Sequence, residues 1–138
     1  METTPAPAAP LSVLVVDDDE DTTDSMVTLL ALYGYAARSA RSGEDALREA
    51  AADPPDVVFL DIRMPGMDGW ELSRRLRQQT AGKRLLVVAV SGCGLEHDRR
   101  RSLDAGADLH LTKPVEPAAL AAVLERFRNN GHRTNPAG

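Results

Sequence analysis

The sequence is short of cysteine, of long apolar runs and of net positive charge. Cys93 is the only cysteine among 138 residues, so no internal disulfide can form, which fits a reducing compartment. No apolar run approaches the roughly 18 residues of a membrane-spanning helix. Residues 1–10 lack the basic and apolar parts of a secretory signal. We therefore expect a cytoplasmic protein without a membrane segment.

The formal net charge of -5 argues against a broad basic surface for nucleic acid. The three histidines, His97, His110 and His132, show no spacing typical of metal ligands. No glycine-rich loop follows the first apolar run, where acidic residues stand instead. Because those acids would repel phosphates, a dinucleotide site of the Rossmann type is disfavoured.

The residues that are present suit one domain with one core. Hydrophobic residues make up 43% of the chain, enough for a globular interior. No internal repeat is visible. We predict a folded domain over residues 11–129, between a flexible Pro/Ala-rich tail at 1–10 and a polar tail at 130–138. No output domain is expected beside it.

Short apolar runs alternate with helical patterns along the chain. Three runs rich in Val and Leu suit strands covered on both faces, namely Leu11–Val16, Val57–Leu60 and Leu85–Val90. Two further strands are predicted at Tyr35–Ala40 and Leu109–Thr112. This alternation predicts an α/β fold with a doubly wound parallel sheet and helices on both faces.

Apolar residues at helical spacing mark the predicted helices between these strands. The clearest sets are Met26, Leu29, Leu30 and Tyr33; Leu72 and Leu76; and Leu120, Val123, Leu124 and Phe127. Ser42 is predicted to cap one helix, and Pro117 to stand in the first turn of the last one. The segment Leu95–Ala105 is also predicted to be a helix, with few apolar anchors on a charged face.

Polar residues stand directly after four of the predicted strands. Asp17 and Asp18 follow the first strand, Asp61 the third, Ser91 the fourth and Lys113 the fifth. Because the carboxyl ends of parallel strands share one edge of the sheet, these side chains are expected to gather there. This edge would then hold three carboxylates, a hydroxyl and an ammonium. Such a cluster does not serve core packing, so we expect it to have a chemical function.

The three carboxylates predict a Mg2+ site. Like charges a few ångströms apart raise one another's pKa or require a cation, and Mg2+ prefers oxygen ligands while keeping waters that a phosphate can replace. The alternative is that Asp17–Asp21 is a solvated acidic turn that caps the following helix. For Asp19, Glu20 and Asp21 we favour this capping interpretation. For Asp17 and Asp18, the presence of Asp61 and Lys113 at neighbouring strand ends favours the metal site.

Asp61 stands alone between an apolar strand and the loop that follows it. A carboxylate in such a place can act as a nucleophile toward phosphorus and form an acyl phosphate, with a metal neutralising the phosphoryl oxygens. Lys113 offers a positive charge and Ser91 a hydroxyl donor to the same group. Considered alone, Lys113 is better interpreted as an ordinary surface lysine and Ser91 as an ordinary turn serine. Their position at neighbouring strand ends favours the functional interpretation.

With these residues in place, the chain resembles the receiver domain of bacterial two-component response regulators. The resemblance covers about residues 11–128 and rests on four ordered motifs. They are VLVVDDDED at Val13–Asp21, FLDIRMPGMDGWEL at Phe59–Leu72, VAVSG at Val88–Gly92 and GADLHLTKP at Gly106–Pro114. The resemblance implies a (βα)5 flavodoxin-like fold with a five-stranded parallel sheet of order 2-1-3-4-5.

The resemblance also implies the roles of the acidic residues. Asp61 is expected to receive a phosphoryl group from a phosphohistidine, on a sensor histidine kinase or a phosphotransfer protein. Mg2+ is expected to bind Asp18, Asp61 and the backbone carbonyl of Arg63, with Asp17 acting mostly through a bound water. The chain is not expected to be a turnover enzyme on an external substrate.

Ser91 and Lys113 are expected, from the same resemblance, to grip the phosphoryl oxygens. The bond between Lys113 and Pro114 is expected to be cis, an isomer that only X–Pro bonds adopt at low cost. His110 occupies the position three before the lysine where the family usually has an aromatic switch residue. A histidine there introduces the possibility of pH sensitivity.

Two further positions, Arg63 and Cys93, flank the path of the hydrolytic water in receivers. The face made by the fourth helix, fifth strand and fifth helix is the usual output surface of the family, and the run Arg99–Arg101 would lie near it. A downstream protein, or a second copy of the chain, is expected there. The alternative functions are an interaction module that is not phosphorylated and a Mg2+-dependent phosphohydrolase with an aspartyl phosphate.

Overall fold

A computed structural model describes residues 11–80, 84–92 and 96–132 as a parallel sheet with helices on both sides. The strands are β1 Ser12–Val16, β2 Ala36–Ala40, β3 Val57–Asp61, β4 Leu86–Ser91 and β5 Leu109–Thr112. The helices are α1 Glu20–Leu32, α2 Gly43–Ala52, α3 Gly69–Gln79, α4 Glu96–Asp104 and α5 Pro117–His132. No helix in these ranges combines the length and apolar character needed to cross a bilayer.

The sheet has the order β2-β1-β3-β4-β5, and all four pairs of neighbouring strands are parallel. Val16 is in register with Leu60, and Asp61 is in register with Val90. The carboxyl ends of the three central strands therefore lie side by side. The predicted flavodoxin-like fold and its strand order are confirmed.

Alternating strand residues divide the core into two layers. One layer, beneath α2 and α3, is formed by buried residues that include Leu14, Val16, Val58, Leu60, Leu72 and Leu76. The other, beneath α1 and α5, includes Val13, Val15, Phe59, Leu30, Leu120 and Leu124. Central strands covered on both faces explain why their sequences are continuous apolar runs rather than alternating ones.

Side-chain caps fix where several helices begin. Ser42 Oγ accepts a hydrogen bond of 3.1 Å from the Asp45 N–H, and Asp68 Oδ1 accepts one of 2.9 Å from the Glu71 N–H. Asp19 caps α1 in the same way, as predicted. These caps satisfy N–H groups that have no partner inside the helix.

Two helix ends differ from the sequence pattern. Tyr33 continues the apolar spacing of α1, but it is the C-cap residue and is 43% exposed, whereas Leu30 is fully buried. At the other end of the chain, α5 begins at Pro117 as predicted and continues past residue 129, the expected end of the domain, to His132. The predicted tail at 1–10, and residues 133–138 of the other, lie outside the described residues.

α4 is anchored differently from the other helices. Its buried residues within Glu96–Asp104 are both polar, Asp98 and Ser102, while Leu103 is 48% exposed. The prediction of sparse apolar anchoring is confirmed for this described part of the helix; Leu95 lies outside it. A helix with so little buried apolar surface has low local stability.

Candidate functional site

Three carboxylates meet at the carboxyl edge of β1 and β3. Ligand oxygens of Asp17, Asp18 and Asp61 all lie within 4.8 Å of one another. Asp17 and Asp61 are buried, with 4% and 6% of their surface exposed, whereas Asp18 is exposed. We name this group the acidic cluster. β1 and β3 are hydrogen-bonded neighbours, so their ends necessarily bring these side chains together.

Lys113 lies against the acidic cluster from the end of β5. Its Nζ donates a hydrogen bond of 3.0 Å to Asp17 Oδ2 and lies 3.4 Å from Asp61 Oδ2. Burial lowers the pKa of Lys113, but the hydrogen bond and charge of Asp17 and the charge of Asp61 outweigh it, so the pKa is raised. Lys113 is therefore a fixed cation at neutral pH. The Lys113–Pro114 bond is cis, the isomer that the family resemblance implies.

Asp61 is held as an anion at an energetic cost. Burial raises its pKa most strongly, and the charge of Asp17 adds to this; the Arg63 N–H and Lys113 act in the opposite direction without cancelling it. The Arg63 N–H donates to Asp61 Oδ1 across 3.1 Å. A buried carboxylate with a raised pKa gains free energy when a cation binds beside it.

The donor set of the acidic cluster fits Mg2+, a hard cation that takes carboxylate oxygens. The two oxygens of Asp17 already accept hydrogen bonds, Oδ1 from the Asp19 N–H at 3.0 Å and Oδ2 from Lys113. Asp18 is exposed to solvent. Asp61 accepts a hydrogen bond at Oδ1 from the Arg63 N–H, and its Oδ2 has a longer contact of 3.4 Å with Lys113 Nζ. These contacts favour Asp18 and Asp61 as direct ligands and an outer position for Asp17.

α3 begins against the loop that follows Asp61, and this contact requires glycine at its first residue. A Cβ added to Gly69 would lie 2.5 Å from Ile62 Cα and 2.7 Å from the Asp61 carbonyl oxygen. The Gly69 N–H donates to the Ile62 carbonyl across 3.1 Å. Gly69 therefore allows α3 to support the backbone that carries Asp61.

Ser91 and His110 form a second polar group beside the acidic cluster. Ser91 ends β4, next to β3, and is fully buried. Its Oγ lies 2.9 Å from Nε2 of His110, which is itself 9% exposed. Burial, and then the charge of Arg99, lower the pKa of His110, while Asp98 opposes them. The imidazole is therefore neutral at neutral pH.

The side chain of Arg63 points to α4 and not to the acidic cluster. Its Nη2 donates to Asp98 Oδ2 across 3.0 Å, and the Asp98 side chain is 2% exposed. Burial raises the pKa of Asp98, but hydrogen bonds from Arg63 and His97 outweigh this and hold the pKa below its usual value. Cys93, the other flanking position, lies outside the described residues.

Sequence reasoning missed the roles of Asp98, Ser102 and Trp70 in this region. Ser102 Oγ lies 2.9 Å from His110 Nδ1 and accepts a hydrogen bond of 3.0 Å from Trp70 Nε1. A signal was present: Asp98 and Ser102 are four residues apart in α4, so they occupy one face of it. A polar pair on the inner face of a helix indicates buried hydrogen bonds.

The family model for the response regulator receiver domain matches residues 13–125 of this chain. The chain is 39% identical over 127 residues to Response regulator MprA of Mycolicibacterium vanbaalenii. The aligned region covers 92% of this chain and 53% of that protein. The chain thus spans about half the length of this curated relative. It is also 34% identical to an uncharacterized 14.6 kDa protein of Leptolyngbya boryana, over 86% of this chain and 91% of that protein.

Solved structures of receivers have the same fold. Chemotaxis protein CheY4 of Vibrio cholerae superposes with a TM-score of 0.81 at 28% identity, covering 86% of this chain and 99% of CheY4. A response regulator from Chloroflexus aurantiacus gives a TM-score of 0.79 at 33% identity, over 86% and 97% of the two chains. The sheet order, the acidic cluster and these matches agree. The chain belongs to the family of response regulator receiver domains, which are signalling modules of two-component systems.

Proposed function

We propose that this receiver takes a phosphoryl group from a phosphohistidine onto Asp61 in a Mg2+-dependent reaction. The donor is a sensor histidine kinase or a phosphotransfer protein. The observation that carries the proposal is the acidic cluster of Asp17, Asp18 and Asp61, joined by the ammonium of Lys113 at 3.0 Å from Asp17 and 3.4 Å from Asp61. A buried anion with a raised pKa, next to a cation, suits a nucleophile toward phosphorus.

The reaction exchanges one bond to phosphorus for another. A carboxylate oxygen of Asp61 bonds to phosphorus while the N–P bond of the donor breaks, and the electron pair stays on the donor imidazole. Asp18, Asp61 and the Arg63 carbonyl would hold Mg2+, which would supply positive charge that offsets the repulsion between two anions. Asp17 would act on the metal through a water, and it accepts a hydrogen bond from Lys113 that orients the ammonium.

Lys113 and Ser91 are the proposed contacts for the transferred phosphoryl group. Lys113 keeps its proton because its pKa is raised, so it presents a full charge to a phosphoryl oxygen. Ser91 stands at the end of the strand next to Asp61 and offers a hydroxyl donor. A cleft of about 660 Å³ opens beside Asp61 and Lys113, and residues of α1 such as Thr22 and Met26 also line it. The donor protein is proposed to approach from this cleft.

The proposed output is a conformational signal to a protein partner through the α4–β5–α5 face. Ser91 contacts His110 of β5, and His110 contacts Ser102 of α4, so a change at Ser91 reaches both elements. Arg99, Arg100 and Arg101 are exposed on α4, a charge pattern that suits an acidic partner surface. A second copy of the chain is the other proposed occupant.

The test is incubation of the full chain with Mg2+ and acetyl phosphate, followed by intact mass measurement. We expect the mass of one phosphoryl group to be added, and to be released by hydroxylamine as for an acyl phosphate. Asp61→Asn should take up none. Asp19→Asn is the matched control, because Asp19 caps α1 beside the acidic cluster but is not part of it, and it should be labelled like the wild type.

Each alternative function has its own result. Normal labelling of Asp61→Asn would refute Asp61 as the acceptor. Sustained hydrolysis of small phosphate esters would indicate the phosphohydrolase. Failure of the wild type to take up the group from acetyl phosphate and from every histidine kinase of its own cell would indicate an interaction module that is not phosphorylated.

A further inference from the structure

Four side chains from four elements form a continuous chain of hydrogen bonds that ends at the site. Trp70 Nε1 lies 3.0 Å from Ser102 Oγ, Ser102 Oγ lies 2.9 Å from His110 Nδ1, and His110 Nε2 lies 2.9 Å from Ser91 Oγ. All four are buried, with 6%, 0%, 9% and 0% of their surface exposed. We call this set the Trp70–Ser91 chain. The elements that contribute to it are α3, α4, β5 and β4.

The chemistry of its first member fixes the direction of the chain. An indole N–H donates and never accepts, so Ser102 Oγ must accept from Trp70. The hydroxyl proton of Ser102 then has His110 Nδ1 as its acceptor at 2.9 Å. The reverse arrangement, in which Nδ1–H donates to Ser102, would leave that buried hydroxyl proton without an acceptor among the contacts described, and buried donors are almost always paired.

The tautomer of His110 follows from this direction. Because Nδ1 accepts, the single proton of a neutral imidazole lies on Nε2 and is donated to Ser91 Oγ. Ser91 therefore acts as an acceptor toward His110, and its own proton points elsewhere. Phosphoryl oxygens only accept hydrogen bonds. A Ser91 hydroxyl that does not donate its proton to His110 can donate it to a phosphoryl oxygen.

We propose that Trp70, Ser102 and His110 are positioning residues for phosphoryl binding, and that their one-way hydrogen-bond chain directs the Ser91 hydroxyl proton toward the phosphoryl group. This rests on the proposed function of Ser91. Hydrogen bonds in a chain polarise one another, so donation from His110 makes Ser91 a stronger donor. The Trp70–Ser91 chain also ties α4 to the site through Ser102. The described residues of α4 include no buried apolar side chain.

The first arm of the test reads the tautomer without any phosphoryl group. In the full chain labelled with 15N-histidine, long-range 1H–15N NMR at neutral pH distinguishes the two neutral tautomers. The His110 signals are identified by their loss in His110→Gln. We expect the Nε2–H form in the wild type and an increased share of the Nδ1–H form in Trp70→Phe, where the donor that sets the direction is gone. A wild-type Nδ1–H form, or no change in Trp70→Phe, would overturn the proposal.

The second arm measures the affinity of the full chain for beryllofluoride in the presence of Mg2+ by isothermal titration calorimetry. Ser102→Ala interrupts the chain and should weaken binding about 2- to 10-fold, the value of one neutral hydrogen bond. Ser102→Thr keeps the hydroxyl and should restore it. The matched control is Ser73→Ala, which removes another buried hydroxyl, one that has no hydrogen-bond partner among the described residues.

The outcomes separate this proposal from the function on which it rests. Wild-type affinity in Ser102→Ala refutes the positioning role even if Asp61 is phosphorylated normally. A wild type that binds no beryllofluoride and takes up no phosphoryl group refutes the proposed function. In that case the tautomer measurement still decides whether the hydrogen bonds of the Trp70–Ser91 chain run in the direction that we infer.

Discussion

Arg63 donates a hydrogen bond of 3.0 Å to the buried carboxylate of Asp98, and this pair joins the loop after β3 to α4. The Arg63 side chain is 61% exposed while the Asp98 side chain is 2% exposed, so the two partners differ strongly in burial. Removing the exposed partner leaves a buried anion whose remaining side-chain contact among the described residues is His97. Because the described part of α4 buries no apolar side chain, such polar contacts largely determine how firmly the helix is docked.

Arg63→Ala should therefore loosen α4 locally. Amide hydrogen exchange over Glu96–Asp104 should be faster than in the wild type at neutral pH, with little change in α5. The pKa of Asp98 is held below its usual value, so the contribution of the pair is present above the unfolded pKa of about 3.9 and is lost as the pH falls through the lower folded pKa. Arg100→Ala, an exposed residue of the same helix, is the control and should exchange as the wild type does.

Asp61→Asn should stabilise the protein when no divalent cation is present. Burial and the neighbouring Asp17 raise the pKa of Asp61, so ionisation of this group costs folding free energy at neutral pH. We expect the free energy of unfolding in EDTA to rise by about 1 kcal/mol, measured by urea titration. Asp24→Asn, at an exposed position of α1, should change it little.

With Mg2+ added, the wild type should become more stable than Asp61→Asn. A cation that binds only the folded wild type raises its stability by mass action, while the variant lacks the Asp61 ligand. An Asp61→Asn protein that is less stable than the wild type in EDTA would contradict the interpretation that the acidic cluster is strained without a cation.

Lys113→Met should tighten Mg2+ binding while it impairs phosphoryl uptake. The ammonium of Lys113 lies 3.0 Å from Asp17 and 3.4 Å from Asp61, where it offsets the charge that attracts the metal. Its loss should raise the affinity for Mg2+ by about fivefold, measured by calorimetry. Weaker Mg2+ binding in this variant would show that Lys113 organises the acidic cluster more than it competes with the ion.

The pH dependence of stability should report the buried state of His110. Burial and Arg99 lower its pKa, with Asp98 opposing, so the unfolded chain takes up a proton first as the pH falls. The free energy of unfolding should therefore decrease below the unfolded pKa of about 6.5, by no more than about 1.4 kcal/mol per pH unit, until the lower folded pKa is reached. His110→Gln should lose this component.

The fold was predictable because its signals are local. The apolar runs, the cap at Ser42 and the proline at Pro117 each act within one element, and strand ends in a parallel sheet converge whatever the loops do. For the same reason, the positions of Asp17, Asp61 and Lys113 could be read from where the strands stop. These residues gather as expected, while their roles in phosphoryl transfer stay predictions.

The contacts around α4 were not predictable in the same way. Trp70 meets Ser102, and Arg63 meets Asp98, across separations of 32 and 35 residues. Such pairs depend on how a helix without apolar anchors rotates onto the sheet, which no local pattern specifies. The exposure of Tyr33 has a similar cause: helical spacing identifies a face, but not whether the last turn still packs on the core.

Gly69→Ala should destabilise the protein although alanine is the better helix former. The added Cβ would lie 2.5 Å from Ile62 Cα and 2.7 Å from the Asp61 carbonyl oxygen. Both are backbone atoms that cannot rotate away, so α3 or the loop after β3 must move. We expect a loss of about 1–3 kcal/mol in the free energy of unfolding, the usual cost of overpacking, measured by urea titration.

Gly92→Ala is the matched control for this prediction. A Cβ on Gly92 meets none of the described atoms within 4 Å, and its backbone does not have a positive φ, so its stability should be close to that of the wild type. Because the clash at Gly69 involves the backbone that carries Asp61, Gly69→Ala should also slow labelling by acetyl phosphate in the fraction that remains folded. Wild-type stability together with wild-type labelling in Gly69→Ala would show that the loop yields freely, and that α3 does not hold Asp61 in place.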